Sequence, residues 1–577
     1  MKITIATTAG FCMGVRRAVE LALDAANQDG GPIYTYGPLI HNPQVLAILG
    51  QKQISVLEKI PETGRGTVII RAHGVPPEDK HALKNAGFKV IDATCPRVIR
   101  VQSIIARHAK QGFAVIIAGD REHPEVRGLL GYAGSRGHVV NSFEEIEALP
   151  AFENAIIVAQ TTQNTAFFEK VKQWAGDNRP HYRVFETICD STEKRQAEVQ
   201  ALARQVDAVV VVGGYNSGNT RRLADIAGRS GKKAFHVETA EELPVEELAE
   251  CRNIGITAGA STPNWTMRQV VQHLDRRLTG KGGRCRRFVH MLMRCLMLSN
   301  LYLAAGAAGL AAAGAWLQGV PLRPHYLAIA ALYTLSMHTL HHMLDRMADR
   351  YNDPDRARFY QENRYALTIL AGAAGLGGLG VAWAMGPLFF WLLLCMSLLG
   401  VVYNLEIEGK GSGVEKISMF KRIPGSKTLL VTLAWGMAAA LFPALDAHGY
   451  FTPASIAAFV WISALVFVRT AFFDISDMQG SRIVGRETIP ILLGERRTLL
   501  LLKGVLAGLI VLPPLAAAAG VLSFLSSVFS LCPAAMLAFL VNHERTGHFP
   551  GVFQGFIMES HFVFAGLLAF ICTALAG

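Results

Sequence analysis

The chain has 577 residues, a formal net charge of +11, 51% hydrophobic residues and only 18% charged ones, and that length exceeds one ordinary domain. Charge is spread through residues 1 to about 275, whereas from about 290 onward apolar runs of membrane-spanning length alternate with charged loops. The positive excess fits the inner face of a membrane, and no aromatic-and-basic RNA motif or DNA-reading helix stands out, so nucleic acid is not an expected partner.

Nine cysteines, odd in number and widely scattered, argue against a disulfide framework. Cys395, Cys532 and Cys572 lie in apolar stretches and are expected to be small packing residues. The opening MKITIATTAGF has neither a long apolar core nor a cleavage site, which predicts no signal peptide and a reducing, cytoplasmic first half.

In chain order, KITIATTAG reads as a strand and GVRRAVELALDAA as an amphipathic helix, with Cys12 of FCMG at the turn between them. Amides at a helix start stabilise a thiolate, which suits a metal or cluster ligand. The design recurs at KVIDATCPRVIRVQSIIARHA around Cys95 and at RVFETICDSTEKRQAEVQALA around Cys189. Three cysteines in matching positions predict three similar α/β units packed around one centre. Three thiolates without a fourth point to a metal site with an open position, held by a cluster or by zinc.

Between the cysteines, His41 in GPLIHNPQV, His73 in VIIRAHGVPP and His123 in GDREHPEVRG each fall on a loop expected after a strand. Imidazole can carry charge near neutral pH, so three of them together predict donors for an anionic ligand. Glu125, two residues after His123, is placed to give a proton in the same cavity. VVVVGGYNSGNTRRL is a buried strand running into a polar loop, and ITAGASTPNW repeats that design. Ser217, Asn219 and Ser261, with glycines such as Gly218 that let the backbone approach closely, suit a phosphate cradle.

These stretches, with QTT and TICDSTEKRQ, resemble the 4-hydroxy-3-methylbut-2-enyl diphosphate reductases of the IspH/LytB family over residues 1–275. The resemblance implies a three-lobed, pseudo-symmetric α/β fold around a [4Fe–4S] cluster held by Cys12, Cys95 and Cys189. One iron is left open for the substrate hydroxyl. Two electrons and protons then remove that hydroxyl as water, giving isopentenyl and dimethylallyl diphosphates. It implies an external electron donor such as ferredoxin, flavodoxin or an NAD(P)H-linked system. Glu125 matches the proton donor, and Thr161 the residue beside the alcohol. His41, His73, His123, Ser217, Asn219 and Ser261 match the diphosphate shell. The family often has Ser-Ser-Asn where this chain has Ser217-Gly218-Asn219, a loss of one side-chain donor with a small expected effect.

The sequence divides into a reductase-like domain at 1–280, a basic glycine-rich linker at 281–292 whose charges suit anionic headgroups, and an all-α membrane domain at 293–577. Hydropathy predicts nine spans, near 293–317, 325–344, 365–385, 387–404, 427–446, 453–473, 498–518, 521–541 and 553–575. Most Lys and Arg lie in the loops after the even-numbered spans, which puts those loops and the N-terminus in the cytoplasm of a cell with this domain in its inner membrane. After the second span, His341, Asp345 and Asp349 share one helix face; after the sixth, Asp474 and Asp477 lie a turn apart. Two acid-rich helix ends on one side would hold Mg²⁺ ions that bind a diphosphate. Tyr403, Lys421, Arg422 and Lys427 offer complementary positive or polar groups, or are simply inner-face basic residues.

This half resembles the UbiA superfamily of membrane prenyltransferases, carried by the spans, the paired acidic loops and DISDMQGSRIVGRETIPILLG. The resemblance implies transfer of a prenyl group from an isoprenoid diphosphate to an acceptor in the lipid bilayer, assisted by Mg²⁺. His341 stands where the first motif usually has Asn, and Ser481 where the second often has a third Asp. The alternatives are an inert membrane anchor for the reductase and a non-catalytic metal-binding scaffold.

Overall fold

A computed structural model describes residues 2–28, 31–279, 284–344, 349, 351–404, 423, 425–484, 487–546 and 552–576. The chain forms two compact units, Met1–Leu278 and Thr279–Gly577.

The first unit carries three four-stranded sheets in which every pairing is parallel. One contains β1 (Lys2–Ile5), β10 (Ala208–Val212), β11 (Lys233–Val237) and β12 (Asn253–Ala258) in the order β1-β12-β10-β11. The second runs β3-β2-β4-β5, with β2 Ile33–Tyr36, β3 Ile54–Leu57, β4 Thr67–Ile70 and β5 Lys89–Asp92. The third runs β7-β6-β8-β9, with β6 Ala114–Ala118, β7 Gly137–Val140, β8 Ala155–Ala159 and β9 Arg183–Val184. Parallel neighbours need crossover connections, which cover both sheet faces and explain the apolar central strands. AVIIA, AIIVA and AVVVV are buried at every position.

The three lobes of this unit share one plan. The strands that precede the cysteines, β1, β5 and β9, each lie at the edge of their own sheet. Several helices begin at Pro in the first turn, where a missing N–H costs nothing. This puts Cys95 at the cap of Pro96–Lys110, His123 at the cap of Pro124–Ala133 and Asn42 at the cap of Pro43–Gln51.

The second unit is helical. Among the described residues, six helices are long and apolar enough to cross a membrane: Arg364–Met385, Ser426–His448, Pro453–Ser476, Glu495–Ala518, Phe524–Glu544 and Phe553–Leu575. A seventh counts if Met291–Leu298 and Leu301–Leu317, bent by 68°, form one span. Helices Pro324–Leu344 and Pro387–Asn404 coincide with the remaining two expected spans. The first of these carries His325, His338, His341 and His342, and the apolar part of the second is short, so a count of nine is not established. Helices Leu301–Leu317 and Val552–Ala576 approach closely at small residues, where a Cβ on Gly566 would lie 2.5 Å from Gly309 Cα.

Three expectations change here. Most of the stretch expected to be a linker, 281–292, is helix from Arg284 onward. The first span does not run straight: the chain breaks at Asn300, which adopts a left-handed φ of 63°. Cys395 is exposed rather than packed, unlike the buried Cys532 and Cys572.

Candidate active site

The three cysteines sit at equivalent junctions. Cys12 directly precedes helix Met13–Gln28, and Cys95 and Cys189 cap helices Pro96–Lys110 and Asp190–Gln205. Each is pinned by its backbone to the loop after the neighbouring strand. The Cys12 amide donates to Ala260 O (3.0 Å), that of Cys95 to Ala72 O (2.9 Å) and that of Cys189 to Thr161 O (2.9 Å). Those acceptors follow β12, β4 and β8, the strands beside β1, β5 and β9. The thiols converge: a Cβ on Gly14 would lie 2.5 Å from Cys95 Sγ, so only glycine admits that sulfur. Burial pushes the Cys95 thiol up; the Arg97 amide opposes this, Cys12 adds repulsion, and the Val98 amide and Cys189 follow.

Zn–S bonds of about 2.3 Å in a tetrahedron bring sulfurs to about 3.8 Å of one another. Among the described residues, the only trio of candidate ligand atoms within 4.8 Å of one another is His41, His73 and His123. The three sulfurs are thus not all within 4.8 Å of one another, wider than a single zinc ion draws its thiolates, and three thiols so placed fit a [4Fe–4S] group.

The structure brings the histidines together, with ring centroids 4.9 Å apart for His41–His73, 5.3 Å for His73–His123 and 5.9 Å for His41–His123. Their surroundings lower all three imidazoles. Burial and then the charges of Arg71 and Arg221 lower His41. Burial, then His41, His123 and Arg71, hold His73 well below its usual range. His123 falls to about 4, first through burial and then through His41. Arginines around the trio favour an anion there over a cation.

His41 Nε2, His73 Nδ1 and Asn219 Nδ2 are buried and have no hydrogen-bond partner. Such groups are costly unless a ligand satisfies them. Ser261 Oγ donates to His41 O (3.2 Å) and lies 3.5 Å from Ser217 Oγ, and Ser217 caps the helix that begins at Gly218. The two polar loops, after β10 and β12, thus meet the histidine loops.

Glu125 is almost fully buried, and burial raises its carboxyl, against the amide and hydroxyl of Thr161 and the charge of Arg222. Thr161 N donates to Glu125 Oε1 (2.7 Å) and Thr161 Oγ1 to Oε2 (2.9 Å). Thr161 thus holds the acid with its amide and hydroxyl and Cys189 with its carbonyl.

Sequence reasoning missed the arginines. Arg222 bonds Thr162 O (2.7 Å) and pairs with Asp120 (2.7 Å), while Arg71 bonds Gly74 O (3.4 Å) and lies over Gly37. The available signal was their place inside RAHG and NTRR.

In the second unit, Asp345 and Lys421, like Arg422, lie outside the described residues. Asp349 Oδ2 accepts from His342 Nδ1 (2.7 Å), and Arg356 donates to His342 Nε2 (2.7 Å). Asp474 is buried at the end of an apolar helix and accepts from Thr428 Oγ1 (2.8 Å), and Asp477 joins that helix to Met478–Ile483. A Cβ on Gly480 would fall 1.8 Å from Asn352 Oδ1, so the segments after the second and sixth expected spans pack directly on each other. The His341 ring lies 5.3 Å from that of His342 with the planes tilted by 55°, Ser481 is buried, and Tyr403 OH lies 3.1 Å from Ser426 Oγ. The acids are oxygen donors of the kind Mg²⁺ takes.

Residues 3–275 match the family model described as LytB protein, and residues 302–548 that of the UbiA prenyltransferase family. The 4-hydroxy-3-methylbut-2-enyl diphosphate reductase of Nitratidesulfovibrio vulgaris is 46% identical over 279 residues, covering 48% of this chain and 99% of that protein. The enzyme of the same name from Aquifex aeolicus is 44% identical over 278 residues, covering 47% and 96%. A solved structure of (E)-4-hydroxy-3-methyl-but-2-enyl diphosphate reductase, 42% identical, covers 48% of this chain and 100% of that one with a TM-score of 0.39.

Proposed function

The chain belongs to the LytB protein family through residues 3–275 and carries a UbiA prenyltransferase family domain at 302–548, and from that premise we propose a bifunctional isoprenoid enzyme. Its first half takes (E)-4-hydroxy-3-methylbut-2-enyl diphosphate, two electrons and two protons to isopentenyl or dimethylallyl diphosphate and water. The observation that carries this reading is the set of buried, unpartnered donors on His41, His73 and Asn219 beside the buried Glu125.

Those donors, with Ser217 and Ser261, hold the diphosphate and fix the alcohol end toward the cysteines. A [4Fe–4S] group on Cys12, Cys95 and Cys189 supplies, when bound, single electrons from an external donor and an open iron for the alcohol oxygen. Burial raises the Glu125 carboxyl toward its protonated form and makes it the proton source; in the relay the Thr161 hydroxyl, which here donates to Glu125 Oε2 (2.9 Å), turns its proton to the departing hydroxyl and takes up that of Glu125 in its place. Iron, sulfide and turnover are measured on the full chain, purified anaerobically in detergent. About four irons per chain with product formation is expected; zinc in place of iron, or a cluster without turnover, would refute the chemistry.

The membrane half transfers a prenyl group from a prenyl diphosphate to an acceptor, with Mg²⁺ held by Asp349, Asp474 and Asp477. The packing of Asn352 on Gly480 and the buried Asp474 support this, since a carboxylate at the end of an apolar helix is expensive. Asp474→Ala should lower prenyl transfer in membranes about 10²-fold or more while leaving reductase turnover unchanged. A second reading, an inert anchor that keeps the reductase at the inner membrane with its first half in the cytoplasm, is favoured by His341 and Ser481 and by the engagement of Asp349 with His342. Parent membranes with no transfer activity would select it.

A further inference from the structure

The cysteine-bearing helices share a feature beyond their cysteines. Helix Met13–Gln28, which follows Cys12, carries Arg17, whose guanidinium donates to Thr94 O (3.1 Å) and Asp92 O (3.4 Å). Those carbonyls belong to the segment leading into Cys95 in the second lobe. Helix Pro96–Lys110, which follows Cys95, carries Arg97, which pairs with Asp190 (2.5 Å), the residue after Cys189 in the third lobe. Helix Asp190–Gln205, which follows Cys189, carries Arg195, which donates to Gly10 O (2.7 Å) and Ala258 O (3.0 Å). Gly10 is two residues before Cys12, in the first lobe. The arginine on the helix after each cysteine therefore grips the segment of the next cysteine, and the three ties close a ring.

The tie from the helix after Cys189 to the Cys12 loop is built most heavily. Arg195 is only 3% exposed; two of its bonds go to backbone carbonyls, and its Nε donates to Ser191 Oγ (3.4 Å). One turn later Glu198 holds the other end of the same loop, accepting from Thr7 N (2.6 Å), Thr7 Oγ1 (2.7 Å), Thr8 N (2.9 Å) and the Thr8 hydroxyl. A cation thus binds a carbonyl of the Cys12 loop while an anion binds its amides. Gly10 adopts a φ of 105°, a conformation that suits glycine and turns its carbonyl to the guanidinium. Arg195 also lies within electrostatic reach of Cys12 and Cys189. A buried cation there needs compensation, and thiolates supply it.

Resting on the reductase reading above, we propose that Arg195 and Arg17 are positioning residues that lock the three cysteine loops into one rigid cradle, and that the charge of Arg195 also favours the reduced state of the cluster held there. Residues behind metal ligands orient them, and their loss costs about 10- to 100-fold in metal affinity or activity. A nearby positive charge raises a cluster's potential because reduction adds negative charge. Arg97–Asp190 closes the ring at the surface, with side chains 39% and 62% exposed, where an ion pair contributes little.

The test uses the full chain, loaded anaerobically in detergent, with two readouts: the rate of iron release to a chelator and the midpoint potential followed by electron paramagnetic resonance. Arg195→Met should release iron about 10- to 100-fold faster and shift the midpoint to more negative values. Arg195→Lys keeps the charge but not the two-carbonyl fork, so it should hold the midpoint near the parent's while still releasing iron faster. Arg17→Met should speed release; Arg97→Gln should leave it close to the parent. If Arg195→Met does not fold, Arg195→Lys and Arg17→Met carry the test through release rates alone. Parent-like release in Arg195→Lys and Arg17→Met would overturn the cradle, and equal midpoints in Arg195→Lys and Arg195→Met would overturn the role of the charge. A parent that binds no iron would refute the reductase reading itself, whereas a loaded parent with unchanged variants would refute only this inference.

Discussion

The two halves build their sites in opposite ways. In the first, every chemical residue sits where an edge or central strand ends or a helix begins, and backbone bonds such as Cys189 N to Thr161 O carry the register of the sheets directly into the site. In the second, the acids lie at the ends of long helices, where segments between spans meet through single contacts such as Asn352 on Gly480. The first arrangement leaves buried donors unpartnered and waiting. The second engages its carboxylates internally, Asp349 with His342 and Asp474 with Thr428. A site preorganised by strands keeps its empty geometry, whereas helix-end carboxylates find partners nearby.

The sharpest way to break this contrast is at Glu125. Glu125→Gln keeps the shape and the hydrogen bond from Thr161 N but removes the transferable proton. Turnover should fall about 10²- to 10⁴-fold with iron content and cluster spectrum unchanged. Parent-like turnover would mean that the acid is merely a structural partner of Thr161.

Next in size is a proton linkage at the histidine trio. Burial lowers all three imidazoles, His123 to about 4, with mutual repulsion adding to this at His73 and His123 and arginine charge at His41. A diphosphate anion reverses the balance and raises them, so binding takes up protons. The window opens near pH 4 and extends to or above the ordinary histidine value of about 6.5. Within it, affinity should fall by about tenfold per pH unit for each proton taken up as pH rises. Without ligand the sign for stability is opposite in origin: histidines lowered on folding destabilise the protein as pH falls below about 6.5. Titration calorimetry with inorganic diphosphate in two buffers of different ionisation enthalpy reads the uptake; zero or negative uptake would show that the histidines are charged before the ligand arrives.

The cysteine junctions and the histidine loops were legible because each lies after a short apolar run, and most stand beside Pro or Gly, as at Cys95-Pro96, His73-Gly74 and His123-Pro124, signals that fix a turn locally. The arginines were not. Arg195 sits mid-helix in TEKRQ, where an arginine reads as solvated surface; only the packing of that helix on a sheet whose strands are distant in sequence makes it buried, and no local pattern encodes that. The same limit applies to the charge state of the histidines, since type and spacing announce a donor but burial sets its pKa. In the membrane half, hydropathy located the helices, yet the histidines of Pro324–Leu344 and the turn at Asn300 depend on neighbours. Asn300 Nδ2 donates to Tyr360 OH (2.9 Å) and its Oδ1 accepts from Arg356 (3.3 Å), contacts made by residues about sixty positions away in sequence.

The smallest expected effect lies at Gly218, where this chain departs from the usual serine. A Cβ there would lie 3.5 Å from His123 Cδ2 and 3.6 Å from an Arg222 nitrogen, ordinary van der Waals distances, and Gly218 is outside the left-handed region. Gly218→Ser should therefore fold without strain and stabilise the start of helix Gly218–Gly228 by roughly 0.4–1 kcal/mol through the unfolded chain. Its hydroxyl would add one donor to a shell that already offers His41, His73, Asn219 and the backbone. A net hydrogen bond of about 0.5–1.5 kcal/mol corresponds to a KM lowered no more than about tenfold, with kcat unchanged because the contact is made equally before and during reaction. A rise in KM would show instead that the space beside His123 is already taken by the bound diphosphate, and that glycine at 218 is what lets the anion lie against the helix start.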